Sequence, residues 1–164
     1  MRFDATIDYP ADVRAVAAML ADEEFVRRKI EASGALDSSC EILREGESFT
    51  VTTRRRMPTD QVPSRFRSLV GQSLDVRLVE AWGAPQADGS RSGTLALDIA
   101  GVPVRVHGRM SLAPAGEGAA QSLSGDVTAS IPLFGKPIEK AAADAVDKVV
   151  AVERRIGLEY LAER

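Results

Sequence analysis

Two charged residues stand where the pattern around them calls for apolar ones. Glu80 interrupts the alternate row Leu74, Val76, Leu78, Glu80, Trp82, and Arg55 interrupts the row Phe49, Val51, Thr53, Arg55, Met57. If these rows face inward, each charge loses its hydration unless it finds a partner. An arginine and a glutamate on neighbouring strands could meet across a cavity, by a bidentate contact where the geometry allows. Such a pair could anchor a ligand's head group. It could equally be a structural ion pair, or a strand end already in solvent, because structural pairs perturb titration as functional ones do. Glu153 lies on the flank of a helical apolar stripe. It could reach inward as a second acid, although a glutamate at such an edge ordinarily snorkels to water.

The remaining reactive side chains offer less. His107 is the only histidine, placed between Arg105 and Arg109 and alternating with Val104 and Val106. That alternation puts it on the outer face of a strand, where a general base or metal ligand has no enclosed site. Cys40 is the only cysteine and alternates with Ile42 as a small apolar side chain. A reactive thiol would need neighbouring positive charge and exposure. One cysteine excludes an internal disulfide and a Cys-rich zinc site. Arg27-Arg28-Lys29 and Arg54-Arg55-Arg56 are short basic runs without interleaved aromatics, so a solvated face is the reading for both. No Ser/His/Asp set, glycine-rich phosphate loop or metal-ligand spacing occurs. The formal net charge of -3 argues against a nucleic-acid partner, which would call for basic excess. The expectation is no catalytic residue, no metal and no cofactor.

The elements that must position these residues follow from periodicity. Phe3, Ala5, Ile7 and Tyr9 alternate with polar residues, the signature of a strand with one buried face, and Pro10 ends it. Val13, Val16, Ala17 and Leu20 then repeat at helical spacing. Asp22 is placed to cap a second short helix carrying Phe25, Val26 and Ile30, closed by Gly34. From Leu36 the period returns to two. Strands are expected around Cys40–Ile42, Phe49–Met57, Leu74–Trp82, Leu95–Ile99, Val104–Leu112 and Leu123–Ile131, with one or two helical turns between Pro63 and Val70. The short loops imply antiparallel pairing.

A long helix over Lys136–Arg164 closes the chain, with Pro137 suited to its first helical position. Ile138, Ala142, Ala145, Val149, Val152, Ile156 and Tyr160 recur at three- and four-residue steps, which predicts one apolar face. Leu158 falls among the charged residues opposite. The class is α+β, an antiparallel sheet with helices on one face, in a single domain over 1–164. Met1-Arg2-Phe3-Asp4 opens no apolar leader, and no apolar run approaches the roughly 20 residues of a membrane span. A cytoplasmic protein without stable membrane insertion is expected; the oligomeric state is open.

This order of elements resembles the START-like (SRPBCC) superfamily of polyketide-cyclase, pollen-allergen and lipid-transfer relatives. The local likeness lies in Asp22-Glu23-Glu24-Phe25 ahead of Ser33-Gly34-Ala35, in Glu80-Ala81-Trp82, and in Pro132-Leu133-Phe134-Gly135-Lys136-Pro137-Ile138-Glu139, and it points to a bacterial branch of unassigned function. The resemblance implies a helix-grip fold: a curved sheet of about seven strands wrapped around the long C-terminal helix. It also implies binding of a hydrophobic small molecule or lipid between sheet and helix. The lining would then be Phe49, Val51, Thr53, Arg55, Met57, Val76, Leu78, Glu80, Trp82, Leu97, Val106, Val149, Val152, Glu153 and Ile156. Two rival expectations stand beside this one: a cyclase- or hydrolase-type enzyme using Glu80 or Glu153, and a protein-interaction domain with a filled core. Fold likeness alone does not choose among them.

Overall fold

The computed structural model describes residues 1–60 and 62–164. Strand β1 (Arg2–Tyr9) is followed by helices α1 (Val13–Leu20) and α2 (Glu23–Ala32). Strands β2 (Asp37–Glu45) and β3 (Ser48–Pro58) form a hairpin, and a 3-10 helix (Ser64–Leu69) leads to β4 (Ser73–Trp82). Strands β5 (Arg91–Ile99), β6 (Val102–Ala115) and β7 (Gly118–Ala129) complete the sheet before α3 (Gly135–Ala162). The seven strands lie in the order β1-β7-β6-β5-β4-β3-β2, every pair antiparallel. The sheet, the two short helices and the long closing helix are the helix grip that the sequence order implies.

Local chemistry explains the boundaries. Asp12 and Asp22 cap α1 and α2, accepting from the backbone N–H of Ala15 at 2.8 Å and of Glu24 at 2.9 Å. The sheet bends where side chains are missing. Gly108 on β6 faces Gly125 on β7, and a Cβ on Gly108 would come within 2.6 Å of the Ser124 carbonyl oxygen. The two strands approach there closely enough to exclude any side chain, which lets the sheet curl.

The core is densest at one end. Ile7, Val16, Met19, Phe25, Val26, Val51, Leu112 and Val127 are almost wholly buried where α1, α2 and the second half of α3 cover the sheet. The first half of α3 is only half-buried. Its covered stripe runs through Ile138, Ala142, Val146, Val150, Glu153, Gly157 and Tyr160. This corrects the face expected from sequence: Ala145 is exposed and Val149 is 52% exposed. Glu153, a polar residue at the expected edge, lies at the stripe's centre; Val149 shares its side with the buried Ile156 one heptad on, so its exposure goes with the thinner cover over the first half of α3. Leu158 is also corrected, since it is half-buried and packs on the core rather than standing in solvent.

Candidate functional site

The deepest charges in the fold meet between α2, α3, β4 and β7. Phe25, Val26 and Ile30 turn inward from α2, and helical spacing carries Lys29 with them, one turn beyond Phe25. Its ammonium stands 4.9 Å from the Phe25 ring centroid. Lys29 Nζ lies 3.3 Å from Glu153 Oε2 and 4.0 Å from Glu80 Oε2, and Gln121 Nε2 donates to Glu153 Oε1 at 3.1 Å. Lys29, Glu80 and Glu153 are 7%, 8% and 6% exposed, so little water screens them.

The charges shift one another. Burial pulls the Lys29 ammonium down most, yet the carboxylates of Glu153 and Glu80 outweigh it and hold Lys29 above the usual lysine range. Burial drives Glu80 up, with Glu153 adding to the rise and Lys29 and Arg55 opposing it. Burial also raises the Tyr9 phenol far above its ordinary value, helped by Glu153 and Glu80. The Tyr9 ring lies under α3 because Gly157 leaves room for it; a Cβ there would sit 2.5 Å from Tyr9 Cε1.

Arg55 points into the same region without joining the pair expected from sequence. No Arg55–Glu80 ion pair lies within 4.0 Å among the described residues, and Glu80 is paired to Lys29 instead. Strand register gives the reason. Arg55 faces Val76 and Glu80 faces Val51. They are thus four positions apart on neighbouring strands, about 13 Å along the sheet at 3.3 Å per residue. Burial lowers the Arg55 guanidinium, and Glu80 and Glu153 offset part of that. Arg55 Nε, Tyr9 Oη, Thr53 Oγ1 and Gln121 Oε1 are buried with no hydrogen-bond partner among the described residues. Donors and acceptors left open in this way need water or a ligand.

Beyond Arg55 the concave face is less completely covered. One flank of α3 is fixed to the β1–β7 edge: Glu139 accepts from the Ala129 backbone N–H at 3.1 Å and meets the amino terminus at 3.3 Å. Gly157 touches Tyr9 on the same side. Of the residues expected on the covered face of α3, Ala145 and Val149 are exposed and Val152 is half-buried. The inward residues of β3–β5 in this part of the sheet are Met57, Val76, Leu78, Leu97 and Ile99, all half-buried. Phe66 of the 3-10 helix reaches Phe134 at the start of α3, with ring centroids 6.4 Å apart.

The residues expected to line a ligand divide accordingly. Phe49, Val51, Thr53 and Trp82 lie in the filled end of the core, with Phe49 and Trp82 stacked at 6.5 Å. Glu80 and Glu153 belong to the lysine cluster. Arg55, Met57, Val76, Leu78, Leu97 and Val152 are half-buried and Val149 is exposed, whereas Val106 and Ile156 are buried. The expectation that Glu153 snorkels outward is corrected by its burial against Lys29 and Gln121. Lys29 is hidden in a basic run whose charge suggests a solvated face, although its spacing from Phe25 gives its direction. Tyr9 is legible as an inward residue; Gln121 has no signal beyond its place in an alternating row. His107 is exposed on the outer face, as its alternation implies, and Cys40 is half-buried with burial raising its thiol.

Among the described residues no group of three or more His, Cys, Asp or Glu side chains is placed to hold a metal. No helix of the described residues is long and apolar enough to cross a membrane.

The curved sheet and its grip helix define a START-like helix-grip fold. The chain belongs to the family described as "Protein of unknown function (DUF2505)", whose profile matches residues 4–161. Solved structures share its fold at low identity. A protein of Thermus thermophilus, TTHA0849, is 17% identical with a TM-score of 0.63, covering 98% of this chain and 99% of its own. A START superfamily protein of Mycobacterium smegmatis is 17% identical with a TM-score of 0.55, covering 98% of each chain. A fragment of a STAR-related lipid transfer protein of Xanthomonas axonopodis is 13% identical with a TM-score of 0.53, covering 93% of this chain and 85% of its own. At these identities the likeness is one of fold. No curated protein sequence matches.

Proposed function

We propose that the concave face between α3 and β3–β5 binds a hydrophobic small molecule or lipid. The observation that carries this reading is an apolar flank left uncovered. Val149 is 52% exposed on α3, and Leu78, Leu97 and Ile99 on the concave face are only half-buried, so apolar surface on both elements is left partly in water. Apolar surface held apart forgoes about 25 cal/mol for each Å² left in water, and a ligand of matching shape recovers that. Arg55 supplies a polar point at the inner end, with a buried N–H unclaimed. A mostly apolar lining with few polar groups is the usual make-up of a small-molecule site. The name of the Xanthomonas relative, a lipid transfer protein, supports the same ligand class. Glu80 and Glu153 share one lysine, an arrangement suited to holding the cavity's end rather than to moving a proton, so the reading includes no reaction.

Native mass spectrometry of the intact chain and titration with the fluorophore anilinonaphthalene sulfonate test the reading together. The expected result is a saturable blue-shifted signal, displaced by a long-chain fatty acid and lost in Leu97→Trp, which fills the floor. A folded wild type that carries no small molecule and shows no saturable signal would overturn it.

A further inference from the structure

The turn before α3 carries a second feature that ligand binding does not use. Leu133, in the turn between β7 and α3, is 96% exposed. It is also the only non-glycine residue with positive φ among the described residues, at 69°. A leucine in the left-handed region is strained, and glycine or asparagine would take that backbone more easily. The turn thus holds a large apolar side chain in solvent, in a backbone that disfavours it. Its neighbours are apolar as well: Phe134 and Leu69 are both exposed, and the Phe134 ring meets Phe66 to join the two loops into one tip.

Cations ring this tip. Arg65 and Arg67 project from the 3-10 helix, and Lys136 follows Leu133 by three residues; all three are exposed. Arg67 is held in place by donating to the backbone carbonyls of Asp60 and Val62 at 2.8 and 3.0 Å. None of the three makes an ion pair within 4.0 Å among the described residues; Glu139, the nearest acid on α3, is engaged by Ala129 and the amino terminus, with Lys136 a weaker, longer-range influence on it. This positive collar sits on a chain whose formal net charge is -3.

We infer that the Leu69–Leu133–Phe134 tip docks on an anionic lipid membrane surface, the apolar side chains entering the interface and Arg65, Arg67 and Lys136 meeting the head groups. Apolar side chains flanked by basic ones are the make-up of interfacial anchors, which need no spanning segment. The charge complementarity selects a membrane over a second copy of this acidic chain. Docking of this tip does not depend on what the concave face binds.

Co-sedimentation of the intact protein with vesicles reads this directly. Binding is expected to vesicles of phosphatidylcholine with phosphatidylglycerol, weaker to phosphatidylcholine alone, and weaker in high salt. Leu133→Gly is expected to lower partitioning about tenfold or more, the equivalent of withdrawing one leucine from the interface. Its thermal unfolding should be unchanged or higher, because glycine relieves the backbone. Lys136→Gln is expected to cost about fivefold on anionic vesicles only. The inference is overturned if wild type stays in the supernatant with both vesicle types, or if Leu133→Gly sediments as wild type does. It is equally overturned if light scattering shows self-association lost in Leu133→Gly while no vesicle is bound, which would assign the tip to a second copy. Failure here leaves the concave face's binding of anilinonaphthalene sulfonate untouched.

Discussion

Replacing Lys29 with methionine tests the buried cluster most severely. The substitution nearly preserves volume and the contact with Phe25, so the change is chiefly one of charge. It strands Glu153, whose Oε2 lies 3.3 Å from the lost ammonium, and Glu80, at 4.0 Å. Both carboxylates are under 10% exposed, and the half-buried Arg55 remains the one nearby cation. Breaking a buried pair by removing one partner costs about 3–5 kcal/mol, a large share of the roughly 5–15 kcal/mol that holds a domain. The pH dependence has a definite sign. Glu80 already titrates above its unfolded value. Between an unfolded value of about 4.3 and the raised folded value the native state binds more protons, so stability falls as pH rises. Without Lys29 the Glu80 carboxyl is pushed further up and that fall steepens. The Lys29 contribution itself is present below the unfolded lysine value and is lost only as pH rises through its raised folded value. Urea denaturation at neutral pH and near pH 4.5 should therefore show a large deficit for Lys29→Met that shrinks in acid. The triple variant with Glu80→Gln and Glu153→Gln should recover most of it. A deficit of about 1 kcal/mol or less, as for exposed pairs, equal at both pH values, would refute the claim that the cluster is dry and coupled.

Other variants separate neighbouring claims. Glu80→Gln should leave Lys29 paired with Glu153 and flatten the stability loss between acid and neutral pH, followed by denaturation across that range. Gly157→Ala should destabilise by about 1–3 kcal/mol, because its Cβ would strike the Tyr9 ring; an exposed helix position would instead gain up to about 1 kcal/mol, so the sign decides. Ile156→Ala should cost about 2–5 kcal/mol by thermal or chemical unfolding. Val149→Ala should change stability by only about 0.5 kcal/mol, and its effect is expected in fluorophore affinity.

Much of the fold can be read in the sequence because period-two rows and helical stripes are local. Asp22 marks the start of α2, and alternation places β1, β3, β4 and β6. The site resists for a different reason. Lys29 and Glu153 lie on elements far apart in sequence, and each looks solvent-facing by its own charge; only packing of α2 against α3 shows that they satisfy one another. The same charge rule misplaces the centre of the α3 stripe. Arg55 and Glu80 do point inward, as their rows imply, yet their register offset cannot be read from either strand alone.

The central claim is that apolar surface lies open between α3 and β3–β5 to receive a hydrophobic molecule. A methyl-detected NMR titration of the intact chain with anilinonaphthalene sulfonate tests it at residue resolution. The account predicts saturable shifts gathered on Val76, Leu78, Leu97, Ile99, Val149 and Val152, with little change at Val16, Val26 or Val51 in the filled end. Absence of saturable shifts, or shifts centred on the filled end or on the outer face of the sheet, would contradict it.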